Sequence, residues 1–406
     1  MLEGFPYAFA TCCLVLLLAV EIRSQNDPAD VVTTRQQDVD GYSSQYGNTG
    51  NRGMMIPPPF NCKRLPERNE TTSSVHALRP QDVRVVMAMG DSITAGFGMM
   101  GKQGTVFKDL IEYRGQSWSI GGDAQAYTLA TIIRHFSPDL VGASLGSHQV
   151  EVCWGYLCPS FHEPVQDRLN SAQTGAMMYD MIHTLNSQVD YIIGELKKMQ
   201  QVDMRKDWKV LTIFVGANEM CLRCGATHAQ PTSPDDYELY FRKALTQLRD
   251  EVPRLFVNVV QMFNVSQVYT VSLRSKHCEN IHSDFFVECS CAFWNGSAAD
   301  ERRKDMDEAA VAYNERLEKV VRDFAKNRSD EFVAVLQPAF RDGTAETLPL
   351  DFISSLDCFH PSLLAHQTMA KLMWNNMLTP STKKRTTFDL HDPIICPTED
   401  TVFATD

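Results

Sequence analysis

Four short segments carry residue types that could perform acyl transfer if the fold brought them together. Met89-Gly90-Asp91-Ser92-Ile93-Thr94-Ala95-Gly96 sets a serine among small residues. A hydroxyl there can attack a carbonyl, and the first N–H groups of a helix opening behind it favour a developing oxyanion. Ser119-Ile120-Gly121-Gly122-Asp123 pairs two glycines, which lets a backbone N–H approach a ligand closely. Val215-Gly216-Ala217-Asn218-Glu219 offers the Asn218 carboxamide as a donor to an oxyanion. Asp357-Cys358-Phe359-His360-Pro361 spaces Asp and His three apart. The carboxylate can then hold the imidazole in one tautomer while the other ring nitrogen faces a serine. Each segment alone also fits an ordinary role as an N-cap, a turn or a surface pair.

Strand-like and helix-like patterns decide where these residues sit. Residues 83–89 form a short apolar run that predicts a buried strand ending at the serine segment. Similar runs occupy 118–120, 210–215, 256–260 and 332–336. Between them, residues 174–199 place Met178, Met181, Ile182, Leu185, Val189, Ile192, Ile193 and Leu196 near a helical period. Ser233-Pro234-Asp235-Asp236 is an N-cap, a first-turn proline and an acid, predicting a helix to about Val252. Residues 300–327 and 363–378 are further amphipathic helices. Alternating strands and helices predict a mostly parallel sheet covered on both faces, an α/β/α arrangement with ligands at the strands' carboxyl ends.

In this order, three after predicted strands and one before a helix, the four segments resemble the blocks of the SGNH, or GDSL-type, lipase and esterase superfamily. The resemblance implies a nucleophile at Ser92 and a general base at His360 oriented by Asp357. It also implies an oxyanion hole from the N–H groups of Ser92 and Gly122 and the side chain of Asn218. Further stretches are similar to the animal phospholipase B1 family: Val75-His76, Leu78-Arg79-Pro80, the run from Arg114 to Asp123, Cys221-x-x-Cys224 and Trp374-Asn375-Asn376-Met377-Leu378. That family implies a three-layer flavodoxin-like fold and hydrolysis of fatty-acyl esters in glycerophospholipids and lysophospholipids, without metal or cofactor. Ile93 stands where the motif has Leu, and Glu219 where Asp follows the Asn. The chain carries one copy of the domain and a polar C-terminus, so a membrane anchor is not carried over. The same chemistry on a neutral lipid or an acetylated glycan, or a silent binding glycoprotein, are the alternatives.

The remaining signals concern compartment. Lys and Arg number 38 against 50 Asp and Glu, a net charge of −12, which excludes nucleic acid as the main partner. The uncharged, mostly apolar run 7–20 predicts a signal peptide over 1–24, followed by a flexible segment 25–61, a hydrolase domain 62–396 and a polar tail 397–406. Asn69, Asn264, Asn295 and Asn327 lie in glycosylation sequons. Ten cysteines outside the signal are disulfide candidates: Cys62, Cys153, Cys158, Cys221, Cys224, Cys278, Cys289, Cys291, Cys358 and Cys396. Local bridges Cys153–Cys158 and Cys221–Cys224 are the simplest pairings, with Cys278, Cys289 and Cys291 stapling a loop. The expectation is a secreted glycoprotein working at a membrane or micelle surface. Three decoys are set aside. Ser144 in Gly142-Ala143-Ser144-Leu145-Gly146 lacks a preceding strand, and Gly96-Phe97-Gly98-Met99-Met100-Gly101 follows a junction already occupied by Ser92. His148, Cys153, Cys158 and His162 could be drawn as a zinc site.

Overall fold

The computed structural model describes residues 60–66, 72–102, 109–153, 162–182, 187–224, 231–284, 289–293 and 296–406. The signal peptide, most of the flexible segment, Asn69, Asn295 and Cys158 lie outside these. The chain divides into units Met1–Met55 and Ile56–Asp406, and every described residue belongs to the second.

Residues 83–90 are almost wholly apolar and form β1 (Val83–Gly90), as the hydropathy predicts. β2 (Ile111–Glu112) and β3 (His148–Gln149) make a small antiparallel pair. β4 (Trp208–Phe214), β5 (Leu255–Val260) and β6 (Phe332–Gln337) join β1 in a parallel sheet of order β1-β4-β5-β6. All seven residues of β4 are buried, the pattern of a strand covered on both faces. The covering helices include α2 (Leu129–Phe136), α3 (Gln188–Lys198), α5 (Pro234–Glu251), α7 (Ala299–Ala325) and α8 (Leu363–Met377). Ser233 caps α5 with its side chain, as its position before Pro234 predicts.

Three expectations change. Residues 118–120 are not a strand; the segment is a turn bridged through Gly121 to Ser144. Of the predicted helix over 174–199, the described residues form a 3-10 turn at Met178–Met181 and α3. Upstream, residues 169–173 run extended beside β1, with Ala88 N–H bonded to Leu169 O and Ser171 N–H to Ala88 O. Small and polar residues there bury against the sheet, and Gly175 at φ 88° cannot continue a helix. With that segment counted, the order is that of a flavodoxin-like sheet, whose switch point lies at the carboxyl end of β1. Finally, 397–406 is not a loose tail. Phe403 is buried against Phe256 and Trp374, because its ring finds apolar cover there.

Candidate active site

β1 delivers the chain to α1 (Ser92–Ala95), where Asp91 caps the helix by accepting from Ile93 N–H at 3.0 Å. Ser92 is 5% exposed. Its Oγ lies 2.7 Å from His360 Nε2, and His360 Nδ1 lies 2.6 Å from Asp357 Oδ2. The other Asp357 oxygen accepts from the N–H groups of Phe359 and His360. Burial pushes the Asp357 carboxyl upward, but the His360 charge and these hydrogen bonds prevail and hold it below its ordinary value. Ser92, His360 and Asp357, 268 and 3 residues apart in sequence, thus form one hydrogen-bonded chain. The loop carrying the last two is held by a Cys278–Cys358 disulfide from α6 (Lys276–Asp284), and Cys358 adopts φ 55°. It also docks on the glycine-rich segment after α1: Ser354 Oγ donates to Gly98 O, and a Cβ at Gly98 would lie 2.7 Å from Leu356. Those glycines make room for the histidine loop.

Asn218 sits at the start of α4 (Ala217–Leu222), directly after β4. One of its amide hydrogens goes to Ala176 O at 2.8 Å, which leaves the second for a ligand. Gly122 does not fit the role expected of it. Its N–H donates to Ser144 O at 2.7 Å and its carbonyl accepts from Arg134, so the group is already used in the loop's own structure. The peptide that meets the requirement is Gly175. Its N–H has no partner among the described residues. Its neighbours are tied to the site, Gln173 N–H to Gly90 O and Ala176 O to Asn218. A Cβ at Gly175 would collide with Cys153 O, and its φ is 88°. The sequence does hold a signal for it, a run of small residues from Asn170 closing on Gly175. The helical period that starts at Met178 obscured that signal.

Below the nucleophile lie three buried acids. Burial raises Asp91 and Asp180 to about 7 and Glu219 to about 8. Glu219 accepts from Met178 N–H at 2.6 Å, so Asn218 and Glu219 together clasp the segment after Gly175. On the other side of His360 opens a cleft lined by Ile93, Phe214, Phe263, Phe352, Phe359 and other apolar residues.

Cys221 and Cys224 pair differently from the local expectation, while the expected partner of Cys153, Cys158, lies outside the described residues. Cys221 joins Cys289 and Cys224 joins Cys291, so α4 is stapled to a distant loop rather than to itself. Cys62 joins Cys396, and Cys153 is also disulfide-bonded, which removes it from the zinc set. Ser144 is fully buried and its hydroxyl donates to Arg114 O.

Residues 86–373 match the family model of GDSL-like lipases and acylhydrolases. The chain belongs to that family. It is therefore a carboxylic-ester hydrolase by descent. It is 31% identical over 354 residues to the membrane-associated phospholipase B1 of Rattus norvegicus, covering 85% of this chain and 23% of the relative. Against the Homo sapiens protein of the same name the identity is 32% over 340 residues, covering 82% and 22%. The chain thus spans less than a quarter of the relatives it matches. Among solved structures, an acetyl xylan esterase from Geobacillus stearothermophilus is similar at 14% identity and a TM-score of 0.32, covering 71% of this chain and 91% of that one. No helix among the described residues is long and apolar enough to cross a membrane.

Proposed function

We propose that this GDSL hydrolase is a secreted serine phospholipase of the B type, removing fatty-acyl chains from glycerophospholipids and lysophospholipids. The observation that carries the choice of substrate is the apolar cleft that meets His360. An acetyl group would leave it empty, whereas each methylene of a fatty chain buried there contributes about 0.8 kcal/mol. The kinship to phospholipase B1 supports the same choice, and the disulfides suit an oxidising compartment.

His360 takes the Ser92 proton as Oγ attacks the ester carbonyl. The oxyanion rests on the Ser92 and Gly175 N–H groups and the free Asn218 amide hydrogen. His360 then protonates the departing glycerol oxygen, and water releases the fatty acid by the same route reversed. Gly175 here takes the role that the resemblance implied for Gly122.

The test is fatty-acid release from phosphatidylcholine and lysophosphatidylcholine by the purified protein and its Ser92→Ala variant, with EDTA present. Release that vanishes in the variant supports the proposal. A protein that a fluorophosphonate labels at Ser92 but that spares both lipids acts on another ester. A protein that is neither labelled nor active is a binding protein.

A further inference from the structure

Behind the oxyanion segment lies a buried group of charges that the chemistry above does not use. Glu112, Arg114, His148, Glu151 and Asp167 are each at most 4% exposed. Arg114 Nη2 reaches Glu112 Oε2 at 2.6 Å and Glu151 Oε2 at 3.3 Å, and its Nε reaches Asp167 Oδ1 at 3.3 Å. His148 Nε2 lies 2.8 Å from Asp167 Oδ1, and His162 Nδ1 lies 3.2 Å from Glu151 Oε2. Arg114 is the cation at the centre of the three carboxylates. His148 and His162 lie against the same carboxylates, which raise both imidazoles above their ordinary value despite burial.

Two bonds connect this unit to Thr174, the residue before Gly175: Glu112 Oε1 accepts from Thr174 Oγ1 at 2.6 Å, and Thr174 N–H donates to Glu151 O at 3.0 Å. A third, from Cys153 N–H to Thr174 O at 2.7 Å, fixes the other side of the same residue. A fourth bond, Arg114 Nη1 to Asn170 O at 3.3 Å, holds the segment upstream. In a trans peptide, C=O and N–H point in opposite directions. Fixing Thr174 O on Cys153 therefore turns the Gly175 N–H away from the cluster.

We infer that Glu112 and Thr174 are positioning residues for the oxyanion hole: the Arg114-anchored Glu112 carboxylate, through the Thr174 hydroxyl, aims the Gly175 N–H. This inference rests on the hydrolase reading of Ser92. Thr174 touches no reacting atom, so its effect appears only where the oxyanion develops.

The experiment compares Thr174→Val, which keeps the shape and loses the hydroxyl, with Thr174→Ser, which keeps the hydroxyl. The readouts are kcat and KM for lysophosphatidylcholine, the rate of fluorophosphonate labelling and the melting temperature. A misaimed donor lowers turnover by about 10- to 100-fold. Expected for Thr174→Val is that loss in kcat with KM nearly unchanged, a parallel slowing of labelling, and near-complete recovery in Thr174→Ser. Wild-type kcat and labelling in Thr174→Val, or a lowered melting temperature alone, overturns the inference. If Thr174→Val does not accumulate folded, Thr174→Ala is measured against the same criteria. Ser92→Ala runs beside them. Activity surviving in Ser92→Ala removes the hydrolase reading and this inference with it, whereas an inactive Ser92→Ala beside a fully active Thr174→Val removes this inference only.

Discussion

The two sides of Ser92 are held by different physics. On the base side, Asp357 and His360 lie three residues apart, and the carboxylate bonds to two N–H groups of its own loop. That loop is then fastened covalently by Cys278–Cys358. On the oxyanion side, Gly175 and Asn218 come from segments that share no local motif. They meet through one side-chain bond, from Asn218 to Ala176 O, while the buried ionic cluster holds Thr174 beside Gly175. A compact loop with a covalent tie can encode its own geometry. A donor assembled across the sheet edge needs many weaker bonds, each dependent on the fold.

The comparison can be broken or sharpened in order of effect. Ser92 serves both sides, so Ser92→Ala should abolish turnover by about 10⁴-fold or more, measured as fatty-acid release. Asn218→Ala should lower kcat by about 10²–10³-fold. Gly122→Ala, placed where the loop structure uses both peptide groups, should lower thermal stability while kcat per folded molecule stays near wild type. Equal kcat losses in the two would return Gly122 to the oxyanion hole.

Replacing Cys278 and Cys358 together by serine should lower kcat by about tenfold, because the histidine loop loses its tie while Cys358 leaves a residue at positive φ. Replacing Cys62 and Cys396 together, which join the ends of the domain, should lower the melting temperature and leave kcat unchanged. Identical kinetic effects from the two pairs would mean that the first is only a general staple.

The smallest effect is on pH dependence of stability. Burial raises Asp91 and Asp180 to about 7 and Glu219 to about 8. Burial alone would lower His148 and His162, but Asp167 and the other carboxylates outweigh it and raise both. Burial acts oppositely on His366, held near 3, and on His76 and His282, and these offset the acids below about pH 6.5. The folded chain therefore holds more protons than the unfolded chain from about pH 6.5 to about pH 8, and stability should fall as pH rises through that window, read as a declining melting temperature by calorimetry. A melting temperature that rises from pH 6.5 to pH 8 would contradict the buried acids as described.

Much of this was legible in the chain alone. The apolar run before Ser92 predicts β1, the Ser233-Pro234 cap predicts α5, and Asp357 and His360 declare their pairing by spacing. The choice between the glycines was not legible. Gly121-Gly122 follows an apolar run and Gly175 closes a run of small residues, and the hydrogen bond from Gly122 N–H to Ser144 O separates them. The disulfides were not legible either, because Cys221 and Cys224 are near each other in sequence and nearer to Cys289 and Cys291 in space.

The sequence by itself determined β1, β4, β5 and β6, the start of α5 and the pairing of Asp357 with His360, since these follow from hydrophobic runs, capping and local spacing. Tertiary structure alone decided which glycine N–H stays free, which cysteines meet and how Arg114 gathers its carboxylates. Those choices depend on which distant groups consume each donor, and local spacing carries no record of that.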